Sequence, residues 1–117
     1  RAYREVAIGR AHPGGLVQGT IDLAFLEADR WVIVDYKTDA VGANQVVEHA
    51  ERYRAQMALY ATELGAITGR AVSEVVLAFL DPGIEHAFAV DEALLALGRS
   101  TSEQALGPPE PRPPPVP

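Results

Sequence analysis

The run Trp31-Val32-Ile33-Val34-Asp35-Tyr36-Lys37 constrains the fold more than any other stretch of the chain. Four consecutive β-branched or aromatic residues suit a strand covered on both faces, because a strand with one wet face would alternate apolar and polar positions. Such a strand belongs inside a sheet, and its charged residues, Asp35 and Lys37, fall at its far end. The flanking sequence supplies its neighbours. Before it lie an alternating segment at about 3–9, a Pro13-Gly14-Gly15 turn, a strand at about 16–26 and a turn through 27–30. After it, strands at 74–80 and 84–90 are joined by Asp81-Pro82-Gly83. In between, Val46, Ala50, Tyr53, Met57, Tyr60 and Leu64 are spaced alternately by four and three, which predicts one helix over 44–64 with Asn44 as its cap and Gly65 as its stop. Asp91 is placed to cap a shorter helix reaching about Arg99. These elements make an α/β domain in which a small mixed β-sheet is flanked by helices.

The 117 residues suffice for one domain. The absence of cysteine removes disulfides, thiolate nucleophiles and cysteine-based metal sites, and fits a cytoplasmic protein. No apolar run approaches the roughly 20 residues that span a bilayer. A formal net charge of -6 argues against a domain that grips nucleic acid by bulk electrostatics. Nine of the ten basic residues are arginine, so Lys37, the only lysine, stands out. Seven of the ten residues 108–117 are proline, which predicts a disordered, extended tail after a domain at 1–107. The first residues already alternate like a strand, with no cap or leader, as expected of a piece cut from a longer chain.

If the turn after the second strand is centred between Ala28 and Asp29, opposed positions of that hairpin sum to 57. Asp22 and Asp35 then face each other across the ladder, with Lys37 two residues further along the same face. The residues alone allow two readings. The carboxylates are either polar strand-end groups bonded to backbone amides or to Lys37, or they hold a hard divalent cation that relieves their repulsion.

Three strings, Gly19-Thr20-Ile21-Asp22-Leu23, Ile33-Val34-Asp35-Tyr36-Lys37-Thr38 and Tyr53-Arg54-Ala55-Gln56-Met57-Ala58-Leu59-Tyr60, occur in an order and spacing that resembles the RecB-like nuclease domain of the PD-(D/E)XK superfamily. Domains of this kind form the C-terminal part of bacterial UvrD-type helicase–nucleases, and the resemblance covers about residues 3–100. It implies a restriction-endonuclease-like core and a Mg²⁺- or Mn²⁺-dependent deoxyribonuclease of the exonuclease V type, acting in double-strand-break repair and recombination. It makes Asp22 and Asp35 metal ligands, with the Tyr36 backbone carbonyl as a third, and Lys37 the catalytic lysine. Gln56 and Tyr60 match its Q-x-x-x-Y helix motif, and Glu5 matches an Arg-Glu dipeptide on the preceding strand. The implied partners are DNA, in single-stranded form, helicase domains of the same parent chain and a second helicase–nuclease subunit. The family's usual helix before the first strand, which supplies a further ligand, has no counterpart here, and no phosphate-binding G-x-x-x-x-G-K-[ST] loop occurs.

Two other functions suit the same residues: a catalytically inactive nuclease fold that guides DNA or plays a structural part, and an unrelated α/β domain that binds a protein partner. His12, His49 and His86 lack paired ligand spacing and read as surface or structural groups. Arg52 and Arg54 could meet phosphates or pair with Glu48 and Glu51 along a solvated helix face.

Overall fold

A computed structural model describes residues 1–106, so the proline-rich tail expected at 108–117 lies outside the described residues. Strands β1 (Ala2–His12), β2 (Gly15–Glu27) and β3 (Arg30–Ala40) come first. A 3₁₀ turn (Ala43–Gln45) leads into helices α1 (Val46–Glu51) and α2 (Arg54–Thr68). Strands β4 (Val72–Asp81) and β5 (Ile84–Ala89) and helix α3 (Glu92–Leu106) follow. The five strands form one sheet in the order β1-β2-β3-β4-β5, in which β3 and β4 are parallel and every other pair is antiparallel. The expected small mixed sheet with flanking helices is therefore present, and β3 is its central strand.

The parallel β3–β4 pair needs a crossover, which α1 and α2 provide. Ile33, Val75, Leu77 and Phe79 from that pair meet Met57, Ala58, Ala61 and Leu64 of α2 in the buried core. Helix α3 lies against α2 at a close crossing, since a Cβ built on Gly98 would overlap Thr62 Oγ1 and the Ala58 carbonyl oxygen. Glu63, wholly buried on α2, binds Arg10 and His12 of β1 and the Ser102 hydroxyl of α3, tying the far end of the first hairpin to both helices.

The hairpin register follows the sum of 57 from Glu27↔Arg30 to Leu23↔Val34, and Ala28 and Asp29, both at positive φ, form its two-residue turn. Beyond Leu23 and Val34 the ladder stops. Buried positions on β2 change parity there, from Val17 and Ile21 on one side of Asp22 to Ala24 on the other. β1 changes at the same row: Tyr3 packs edge-on against Trp31, Val6 and Ile8 turn to the core, and Glu5 between them has φ 51°. Both strands shift together, so their own pairing keeps its register across the break. Ile21 thus reaches the core instead of lining the face opposite Asp22 with Leu23 and Phe25, as strict alternation would have it.

The helix expected over 44–64 is divided. The Arg52 and Tyr53 N–H groups bond back three residues to His49 and Ala50, and regular α-helix resumes at Arg54. The apolar stripe continues across the break, with Val46, Ala50, Met57, Tyr60 and Leu64 buried and Tyr53 half-buried, which is why periodicity alone shows one helix. Asn44 lies inside the 3₁₀ turn and caps nothing, and α2 runs past Gly65 to a left-handed Gly69. Asp91 does cap α3, accepting a bond from the Leu94 N–H at 2.8 Å, and that helix extends beyond Arg99 to Leu106.

Candidate functional site

The interruption of the hairpin creates the geometry of the site. Where the β2–β3 ladder ends, the Asp22 side chain takes over, its Oδ2 accepting a bond from the Tyr36 N–H at 2.9 Å. Asp35, the next residue in the register, is buried, and its Oδ2 lies 2.7 Å from the Lys37 ammonium. Burial pushes the Asp35 carboxyl above the ordinary carboxylate range and the neighbouring Asp22 adds to the rise, while Lys37 partly offsets both. Asp22 bonded to an amide and Asp35 bonded to lysine are the contacts of the first of the two readings above. The second reading requires a cation in addition.

Tyr60 of α2 stands near enough to feel the charge of this group. Its hydroxyl accepts a bond from the Gln56 amide at 3.2 Å, so the two stand on one helical stripe as their spacing predicts. Burial, and then the negative charge of Asp35, hold that hydroxyl above its ordinary range. The Tyr60 ring lies against β2 at Gly19, where a Cβ would stand 2.8 Å from Cε1. Only glycine lets the ring approach the strand this closely. Glu5 and Asp22 occupy the row that the β1–β2 pairing skips, between Arg4↔Leu23 and Val6↔Ile21, and with Arg4 and Tyr36 they line an open cleft of about 540 Å³. The sequence-derived residues Glu5, Asp22, Asp35, Lys37, Gln56 and Tyr60 thus belong to adjoining parts of β1, β2, β3 and α2.

Three residues beside the site were missed by sequence reasoning. The Lys37 ammonium lies 3.9 Å from the centre of the Tyr53 ring, the Tyr53 hydroxyl donates to Asp39 Oδ2, and His49 Nε2 lies 2.8 Å from the same oxygen. The signal existed: Asp39 is two residues beyond Lys37 on β3, and His49 and Tyr53 are four apart on the helical stripe. His49 is structural, as expected, and so are His12 on Glu63 and His86 edge-on to Phe88. Arg54 resolves toward the helix-face reading, bonded twice to Glu51 at 2.8 Å and stacked on Phe88.

Among the described residues, no three histidine, aspartate or glutamate side chains gather closely enough to hold a metal ion by themselves. The donor set still suits one kind of ion. Two carboxylates of adjoining strands, one with its charge poorly solvated, are hard oxygen ligands of the sort a Mg²⁺ or Mn²⁺ takes together with a backbone carbonyl and several waters. No helix among the described residues is long and apolar enough to cross a membrane.

Residues 1–108 match the family model described as the PD-(D/E)XK nuclease superfamily, and the chain belongs to that superfamily. It is similar to an ATP-dependent helicase/nuclease subunit of Desulforudis audaxviator, 49% identical over 59 residues, covering 50% of this chain and 5% of that protein. The subunit of the same name from Pelotomaculum thermopropionicum is 40% identical over 70 residues, covering 60% of this chain and 6% of that one. The chain therefore spans about one twentieth of the length of the curated relatives it matches. The crystal structure of SSO0001 shares the fold at a TM-score of 0.56 and 18% identity, covering 86% of this chain and 49% of that one.

Proposed function

We propose that the chain is a metal-dependent DNA nuclease of the exonuclease V type, working as the C-terminal module of a helicase–nuclease in double-strand-break repair and recombination. The observation that carries this reading is the buried Asp35 carboxylate held between Asp22 and the chain's only lysine, in a member of a nuclease superfamily. Asp22, Asp35 and the Tyr36 carbonyl would hold Mg²⁺ or Mn²⁺. Such an ion, when bound, makes a water more acidic and offsets the charge of a scissile phosphodiester. Lys37, fixed beside Asp35, presents a compact positive charge to the negative charge that develops on the phosphoryl oxygens. Gln56 orients the Tyr60 hydroxyl beside the carboxylates, and Glu5 lines the cleft through which a strand would approach.

The substrate in this reading is single-stranded DNA. A chain with a net charge of -6 is poorly suited to capture DNA alone, which favours delivery by helicase domains of the same parent chain. In the cytoplasm, a second helicase–nuclease subunit would be a further partner. The matched relatives are named as subunits of ATP-dependent helicase/nucleases, which supports that placement.

Cleavage of end-labelled single- and double-stranded DNA in Mg²⁺, Mn²⁺ or EDTA tests the reading. Cutting that needs the metal and is lost in Asp35→Ala and Lys37→Ala is the expected result. A folded chain that cuts neither substrate points to an inactive nuclease fold with a structural or DNA-guiding role.

A further inference from the structure

Lysine side chains are long and freely rotating, so a lysine that must meet one reacting oxygen loses rate unless something holds it. Lys37 is held from two directions. Its ammonium donates to Asp35 at 2.7 Å, and the face of the Tyr53 ring covers the same group at 3.9 Å, leaving the side chain 14% exposed. The ring is held in turn, because its hydroxyl donates to Asp39, which also binds His49 at 2.8 Å. Tyr53 sits at the break between α1 and α2, where backbone N–H groups bond three residues back instead of four. That departure from regular helix sets the residue from which the ring reaches Lys37.

We propose that Tyr53 is a positioning residue for phosphodiester cleavage: its ring, anchored by Asp39 and His49, holds the Lys37 ammonium against Asp35 in the orientation that meets the phosphate. This inference rests on the nuclease reading above. It separates the two parts of Tyr53. The ring attracts the cation through its negative face, and the hydroxyl only orients the ring, so phenylalanine should serve nearly as well and an aliphatic residue of similar bulk should not.

The single lysine provides a readout independent of cleavage. With isotopically labelled lysine, the ε-methylene protons of the full chain give one side-chain signal, which should lie upfield of free lysine because of the ring current of Tyr53. The shift should persist in Tyr53→Phe and vanish in Tyr53→Leu, with amide spectra confirming that both variants remain folded. In cleavage assays Tyr53→Leu should lower kcat by about tenfold, the scale of a desolvated cation–π contact, with KM and the metal requirement unchanged. Tyr53→Phe should lose less than about threefold. A lysine signal that ignores Tyr53→Leu, or equal losses of kcat in the two variants, overturns the proposal. An unmodified chain that cuts no DNA although its lysine signal responds to Tyr53→Leu overturns the nuclease reading, and the catalytic role of Tyr53 with it, while leaving the ring contact established.

Discussion

Gly19 shows how one residue can serve a site it does not touch. In Gly19-Thr20-Ile21-Asp22 the glycine lies three positions before the acidic group, inside the strand expected at about 16–26. Its neighbour in space is Tyr60, whose ring edge occupies the room a Cβ would need. Gly19→Ala should therefore push the buried Tyr60 ring away from β2, costing about 1–3 kcal/mol in denaturant unfolding, and should slow DNA cleavage because Tyr60 stands beside Asp35. Unchanged stability and rate would show that the ring can shift freely. The carboxylates differ in legibility for a similar reason. Hairpin arithmetic and motif spacing singled out Asp22 and Asp35, but the two-residue turn fixes the register only as far as Leu23↔Val34, and the ladder stops one row short of the two carboxylates. Glu63, the most buried carboxylate among the described residues, was not singled out, since its partners Arg10, His12 and Ser102 come from distant parts of the chain and leave no local pattern.

At the scale of elements, all five strands lay where residue pattern and turn residues predict, helix ends at Asn44, Gly65 and Arg99 were misplaced, and the two irregularities beside the site went unseen because each preserves the pattern being read. The shift of β1 and β2 at Glu5 and Asp22 moves both strands together, so register sums cannot reveal it. The break at Arg52 and Tyr53 leaves the apolar stripe continuous, so helical periodicity cannot reveal it. Both irregularities adjoin the candidate site, and both turn side chains that regular elements would have aimed elsewhere. The α2–α3 contact is the converse case, a regular crossing that depends on one residue. Gly98→Ala would drive a methyl group into the Thr62 hydroxyl and the Ala58 carbonyl, and the latter can retreat only if α2 moves. The variant should lose more than about 3 kcal/mol of stability, readable as a fall in Tm. A loss below about 1 kcal/mol would mean that the helices separate easily.

For the molecule as a whole, sheet and helices serve different parts of the site. The central strand β3 carries Asp35 and Lys37 into the interior, the first hairpin brings Asp22 and Glu5 to the same row, and α1 and α2 with the break between them supply Tyr53, Gln56 and Tyr60. The strands and the mixed character of the sheet were legible in the sequence because strands leave strong local signals, whereas the strand order and the parallel β3–β4 pair were not. How closely the helices approach the sheet was not legible either, because that depends on packing between distant segments. The nuclease reading stands or falls on whether the row of carboxylates on β2 and β3 takes a divalent cation, and calorimetric titration of the chain with Mn²⁺ decides this without DNA. Saturable binding should disappear in Asp35→Ala and weaken sharply in Asp22→Ala, with both variants still folded. Identical Mn²⁺ binding by the unmodified chain and both variants, or no binding by any of them, would contradict a cation site there.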